Sequence, residues 1–117
     1  PDELLNTLEW MSFDFGPTLL DWLEPNAPQT YQAILEADRL GAKRFEGHGG
    51  AVAMPYHHPI LPRSAERDRR TEVLWGMADF RRRFGREPEG MWLPETAVDS
   101  CLSEEAHPRR TWFYWMG

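Results

Sequence analysis

The amino-acid sequence predicts an α/β fold with a short parallel sheet, because brief apolar runs alternate with longer segments of helical periodicity. The first apolar run covers residues 10–15 and is followed by a helical pattern that begins at Pro17. A second run covers residues 51–54, a long helical pattern covers residues 64–84, and a third run covers residues 90–94. A strand, a long helix and another strand in this order are typical of a parallel crossover connection.

The length and composition indicate one ordered domain of modest size, since the chain has 117 residues and one cysteine. Hydrophobic residues make up 41% and charged residues 27%, which is ordinary for a globular protein and unlike a disordered chain. Its apolar runs are far shorter than the roughly 18–20 residues of a membrane-spanning helix. The first nine residues show no secretory signal. These features predict a cytoplasmic location and no membrane partner.

The distribution of charge argues against a nucleic-acid partner. The chain carries 19 acidic and 13 basic side chains, and its first 38 residues contain no basic side chain at all. The arginines of residues 67–70 and 81–86 fit a solvated helix face and a helix C-terminus better than a phosphate-binding stripe. One cysteine and four scattered histidines give no metal-ligand spacing, and no glycine-rich nucleotide motif occurs. We therefore expect neither a metal site nor a cofactor.

The first half of the chain is predicted to contain one strand and two helices. The strand, residues 10–15, alternates large apolar with small polar residues, and Pro17 favours the first turn of a helix that ends before Pro25. A second helix is expected after Pro28, with a C-cap at Gly41. Its apolar face consists of Tyr31, Ile34, Leu35 and Leu40.

The second half of the chain is predicted to contain a strand, the longest helix and another strand. Residues 51–54 are interpreted as a buried strand between glycine-rich and proline-rich loops. The helix over residues 64–84 is expected to end at Gly85, and residues 90–94 form the third predicted strand. Three tryptophans, Trp10, Trp22 and Trp75, are assigned to the core.

Side chains that can perform chemistry follow the predicted strands. Asp14 ends the first strand, His57 and His58 follow the second, and Glu95 follows the third. Because the carboxyl ends of parallel strands meet at one edge, we expect these groups to converge if the strands belong to a barrel. Structural alternatives remain open. Asp14 is suited to cap the N-terminus of the next helix, and the two histidines are also typical of structural residues whose hydrogen bonds are satisfied within the fold. Glu95 is either a carboxylate that stabilises the N-terminus of a helix or a catalytic carboxylate.

Three segments resemble successive motifs of glycoside hydrolase family 57, in particular its poorly characterised bacterial members. They are MSFDFGPTLLDWLE at 11–24, GHGGAVAMPYHHPILP at 47–62 and WGMADFRRRFGREPEGMWLPETAVD at 75–99. The resemblance implies a fragment of an incomplete (β/α)7 TIM-like barrel, with about three strands and their crossover helices. It further implies a partial catalytic barrel over residues 1–99 and a divergent C-terminal tail over residues 100–117.

The same resemblance implies a retaining glycoside hydrolase or glucanotransferase that acts on α-linked oligosaccharides or polysaccharides. Glu95, in the WLPE segment, matches the catalytic nucleophile of the family. His48 and His58 match histidines of the sugar site, and Trp92, close to Glu95, is expected to contact the substrate. Asp14 is added to the substrate-binding set, although many family members have asparagine at this position.

A retaining mechanism also needs a second carboxyl group, which acts as acid and then as base about 5–5.5 Å from the nucleophile. In the family this group is an aspartate on a later strand, and Asp99 is too close to Glu95 in sequence to match it. We therefore expect the isolated chain to be inactive and its open strand edges to favour self-association or pairing with missing barrel segments. The alternative function is that of a non-catalytic remnant or carbohydrate-binding piece of a truncated gene.

Overall fold

The computed structural model of the protein describes residues 5–99, in which three helices pack on a small parallel sheet. The elements in chain order are β1 (Phe13–Asp14), α1 (Pro17–Asn26), α2 (Pro28–Arg44), β2 (Ala51–Val52) and α3 (Glu66–Phe84). Single turns of 3-10 helix occupy Thr7–Trp10, Leu61–Arg63 and Pro94–Thr96. The α/β class is therefore confirmed. Within residues 5–99, no helix has the length and apolarity needed to cross a membrane.

The sheet consists of two paired strands and one additional bridge. Phe13 of β1 lies opposite Ala51 of β2 in parallel register. The third predicted strand is reduced to a parallel bridge between Ala53 and Met91, in which the Ala53 N–H donates to the Gly90 carbonyl at 3.1 Å. The prolines that flank this segment lack an N–H group and cannot extend the ladder, so the pairing stays short.

The two faces of the sheet have different surroundings. Side chains on one face are buried against the helices, and they include Phe13, Ala51, Ala53 and Met91. The helices and the connection after β2 complete this core with Leu20, Tyr31, Ile34, Ala37, Leu61, Val73, Met77 and Phe80. On the opposite face, within the described residues, Asp14 is exposed and Val52 is only half-buried. The open face is therefore the one that a ligand or further strands can reach.

The prediction that α2 ends at Gly41 is wrong, because the helix continues to Arg44. Gly41 is buried inside the helix, where a Cβ atom would lie 3.4 Å from the backbone oxygen of Glu9. The glycine therefore lies in contact with the chain before β1 and does not cap the helix. A glycine near the end of a helical pattern is compatible with either use.

The long helix α3 follows its prediction closely. It ends at Phe84, and Gly85 takes the left-handed conformation of a C-cap, with a φ of 67° and its N–H bonded to the Arg81 carbonyl at 3.0 Å. Gly76, on the buried face of α3, lies directly against the chain after β2, since a Cβ atom there would be 1.9 Å from the Met54 carbonyl oxygen. This contact sets the distance between α3 and the end of β2.

The assignment of Trp10, Trp22 and Trp75 to the core is wrong. Their exposed fractions are 57%, 58% and 54%. The large rings of the core come from other residues instead, namely Phe13, Tyr31 and Phe80. Trp10 lies beneath the Arg44 guanidinium, whose central carbon is 3.4 Å from the ring centroid.

Arg83 of α3 joins the three helices through a buried charge network. Its guanidinium donates to Asp79 at 2.8 Å and to the Tyr31 hydroxyl at 3.2 Å, and it also pairs with Asp21 of α1. Burial opposes the charge of Arg83, but the hydrogen bonds and the neighbouring carboxylates outweigh burial and raise its pKa. The helices are therefore held together by a cation that remains charged.

A second buried pair holds the start of β2. The carboxylate of Asp38, on α2, accepts the Ala51 N–H at 2.8 Å and two hydrogen bonds from Arg86 at 2.7 and 3.0 Å. Arg86 also donates to the Ala51 carbonyl at 2.9 Å, so both backbone polar groups of this residue are satisfied by side chains. A Cβ atom at Gly49 would lie 2.3 Å from the carboxylate, which explains the glycine at this position.

We expect Asp38→Asn to lower the free energy of unfolding by about 3 kcal/mol, because the amide leaves the mostly buried Arg86 cation without a counter-charge. Urea denaturation of the 117-residue chain measures the change. The matched control is Glu36→Gln on the same helix, which removes an exposed ion pair with Arg39 and should leave the midpoint unchanged. Equal midpoints for the two variants would contradict a structural role of the Asp38–Arg86 pair.

Candidate active site

The carboxyl end of the sheet brings together three of the predicted site residues. Asp14 ends β1, His58 lies in the loop after β2, and Glu95 lies just after the bridge at Met91. His58 Nε2 is 3.4 Å from Glu95 Oε1. Asp14 is close enough to His58 for the imidazole charge to act on its pKa. Their convergence agrees with the parallel arrangement of the strands, whereas their chemical roles stay predictions.

The backbone is left-handed at both residues of the His58–Glu95 contact. Each has a φ of 56°, which costs a residue with a side chain about 1–2 kcal/mol. The short turn after Glu95 is fixed by hydrogen bonds from the Thr96 N–H to Leu93 and from the Ala97 N–H to Pro94, at 2.9 and 3.1 Å. Such strain is concentrated at functional sites in many proteins, and here it coincides with the contact between His58 and Glu95.

The Glu95 carboxylate is open to a ligand. Its side chain is 68% exposed and that of His58 is 50% exposed. Among residues 5–99, His58 is the one side chain within hydrogen-bonding distance of the Glu95 carboxylate. One carboxylate oxygen therefore has a protein partner, while the other is available to a reacting atom.

The loop that carries His58 is anchored by Glu72 of α3. The two carboxylate oxygens of Glu72 bond to the N–H and to Nδ1 of His57, both at 2.7 Å. The Glu72 backbone carbonyl accepts the Tyr56 N–H at 3.2 Å. Sequence reasoning missed Glu72, because a glutamate on the polar side of a helix has no pattern that distinguishes it from a solvated residue. Its effect is to fix the two residues that precede His58.

Asp14 does not cap α1, so the structural alternative for this residue is wrong. The N-cap of α1 is Gly16, which makes no side-chain capping bond. Although Asp14 is partly exposed, the surrounding groove removes water from its carboxyl group and raises its pKa. A hydrogen bond from its own N–H and the charge of His58 oppose this effect without cancelling it. Asp14 is thus a carboxyl group whose protonated form is favoured by its site.

The open face of the sheet forms a groove of about 630 Å³. Its lining includes Asp14 and the half-buried Trp92, which were both predicted to contact substrate. The remaining lining residues are Ser12, Phe13, His48, Gly49, Ala51, Val52, Glu89, Gly90 and Met91. This volume is in the range of small-molecule binding sites, and its lining combines apolar walls with a few polar groups.

His48 lies at the other end of this groove. It precedes β2, and its Nδ1 is 2.8 Å from Oε2 of Glu89, which precedes the bridge at Met91. Parallel strands place these two residues at the amino edge of the sheet, away from His58 and Glu95. A substrate contact of His48 therefore remains a prediction for the far end of the groove. In the part of the chain that the structure describes, no group of three His, Cys, Asp or Glu residues could hold a metal ion.

Comparisons with known proteins agree with the sequence motifs. The family model described as glycosyl hydrolase family 57 matches residues 9–107, a range that reaches into the segment predicted as a divergent tail. The chain is similar to alpha-amylase 1 of Dictyoglomus thermophilum, with 28% identity over 88 residues. The match covers 75% of this chain and 12% of that protein, so the chain corresponds to a small part of its relative. No solved structure matches the chain.

We expect Asp14→Asn to stabilise the fold at neutral pH, because the amide removes a charge that the groove desolvates. A folded-state pKa above the unfolded value of 3.8 means that protonation favours the fold, so the wild type loses stability as pH rises through the folded pKa. The advantage of the variant should accordingly disappear below about pH 3.8. Urea unfolding across pH 3–7 measures this difference. A variant that is less stable at pH 7 would contradict the desolvated carboxyl group.

Proposed function

The chain belongs to glycosyl hydrolase family 57, and on this basis we propose that it forms part of the catalytic unit of a retaining enzyme that cleaves or transfers α-linked glucans. The observation that supports the proposal best is the contact of 3.4 Å between His58 and Glu95 at the carboxyl edge of the sheet. The similar protein named alpha-amylase supports α-linked glucans as the substrate class. The proposed catalytic unit is a (β/α)7 barrel. This chain contributes β1, β2 and the bridge at Met91 to that barrel.

In the proposed mechanism, Glu95 is the nucleophile. Its second carboxylate oxygen attacks the anomeric carbon while the family's acid, an aspartate on a later strand, protonates the leaving oxygen, so the glycosidic bond breaks and a glycosyl ester with the opposite configuration forms. Water or the hydroxyl group of an acceptor sugar then gives its proton to the same aspartate, displaces Glu95 from the ester and restores the configuration. His58 holds the other oxygen of Glu95, which keeps the attacking oxygen aimed at the substrate.

The groove on the open face is proposed to bind the sugar chain. Trp92 offers an apolar ring wall, and Asp14 offers a carboxyl group that can hydrogen-bond to sugar hydroxyls. His48 and Glu89 line the amino end of the groove, and a sugar contact is proposed for them there. Asp14 does not replace the acid of the family mechanism in this proposal, because that acid follows Glu95 on a later strand.

In a complete relative with the same motifs, we expect replacement of the residue equivalent to Glu95 by glutamine to reduce turnover by at least about 10³-fold. The amide keeps the shape of the side chain but cannot form the glycosyl ester, so maltoheptaose binding should survive. Release of reducing ends from soluble starch measures turnover, and calorimetry measures binding. The matched control is the equivalent of Glu87→Gln, which removes an exposed partner of Arg81 and should retain activity.

Wild-type turnover in the glutamine variant would eliminate Glu95 as the nucleophile, and Asp14 would be the next carboxylate to test. The 117-residue chain should show no turnover in the same assay, because a positioned general acid contributes about 10²–10⁴-fold and the proposed acid lies on a later strand. Activity of this chain that disappears in its Glu95→Ala variant would show that it assembles its own acid.

A further inference from the structure

Three aromatic side chains form an exposed surface beside the candidate active site. Trp75 of α3 is 54% exposed, and its ring meets that of Tyr56 edge to face, with centroids 5.8 Å apart and planes at 84°. The His57 ring lies 4.8 Å from the Tyr56 ring and 6.5 Å from the Trp75 ring. We call Tyr56, His57 and Trp75 the aromatic surface.

Two of these rings are held in place by carboxylates on different helices. The Tyr56 hydroxyl donates to Asp21 of α1 at 2.9 Å, and this hydrogen bond raises the pKa of Tyr56, so the phenol remains protonated at neutral pH. His57 is fixed by its two bonds to Glu72 of α3. A ligand that binds here meets rings that are already ordered, which lowers the entropic cost of binding.

His57 also offers a polar atom to a ligand at this surface. Because the Glu72 carboxylate accepts from Nδ1, the neutral imidazole carries a lone pair on Nε2. This nitrogen makes no hydrogen bond within residues 5–99, and the His57 side chain is 55% exposed. The aromatic surface therefore combines an open ring face with a hydrogen-bonding group at its edge.

This combination suits a pyranose ring. One face of a glucose unit presents C–H groups, which pack on the electron-rich face of an indole ring, while its hydroxyl groups hydrogen-bond at the ring edge. The carboxylate of Glu72 beside His57 disfavours a phosphate-bearing ligand by charge. A neutral, hydroxyl-rich ligand is the best chemical match.

We infer that the aromatic surface is an accessory binding site for a glucose unit of an α-linked glucan, with Trp75 as the stacking residue. Tyr56 and His57 directly precede His58 in the chain, and His58 Nε2 contacts Glu95, so the same loop carries the aromatic surface and part of the candidate active site. The α-linked class of the ligand rests on the proposed function, whereas the location of the site rests on the ring contacts.

The test is a titration of the 117-residue chain with maltoheptaose, followed by NMR of the tryptophan indole N–H signals. We expect the signal that is missing in Trp75→Ala to shift in the wild type, and the Trp75→Ala variant to bind at least about tenfold more weakly. Trp75→Tyr should retain most of the affinity, because it keeps a stacking ring. The matched control is Trp22→Ala, which removes a similarly exposed indole from α1 and should bind within about twofold of the wild type.

Unchanged affinity in Trp75→Ala, or absence of binding to the wild type, would overturn the inference. Equal affinity for cellohexaose would overturn its α-linked specificity. Circular dichroism confirms folding of each variant. In this titration the Trp75 signal reports on the aromatic surface, and the indole signal of Trp92 reports on the groove of the proposed function, so failure of the accessory site and failure of the proposed function give different results.

Discussion

The buried pair of Asp38 and Arg86 determines where the second strand begins, and the sheet depends on that position. The two charged side chains are stable in this largely buried position because they are hydrogen-bonded to each other and to the N–H and carbonyl of Ala51. Ala51 in turn is the partner of Phe13 in β1. A shift of β2 by one residue would expose its buried side chains and break these bonds together. The pair therefore specifies register as well as position.

The geometry of the candidate site follows from this fixed strand. α3 lies against the end of β2 at Gly76, and one helical turn earlier Glu72 reaches His57. His58 is then the next residue, held in a left-handed conformation opposite Glu95. The packing of the core and the hydrogen bonds of Glu72 offset the energetic cost of this backbone conformation. This is expected for a site whose side chains must be held in one arrangement.

The sequence predicted features that depend on local chemistry. Examples are α3 with its cap at Gly85, and the WLPE segment, whose family resemblance is confirmed by the match over residues 9–107. Features that depend on packing partners were not predicted. Gly41 and Trp75 show the reason. A glycine is compatible with a helix cap or with a packing contact, and a tryptophan is compatible with the core or with the surface. Only the packing of neighbouring elements decides between these positions. The same limit hid Glu72 and the position of His48 at the amino end of the groove.

Covalent trapping of the glycosyl ester tests whether Glu95 is the nucleophile of the proposed glucan-cleaving site. A complete family member that carries the three motifs is incubated with 5-fluoro-α-glucosyl fluoride, which slows release of the glycosyl ester, and its peptides are sequenced by mass spectrometry. We expect the sugar on the glutamate of the WLPE segment. A label on another carboxylate, such as the equivalent of Asp14, would contradict the assignment of Glu95 as the nucleophile.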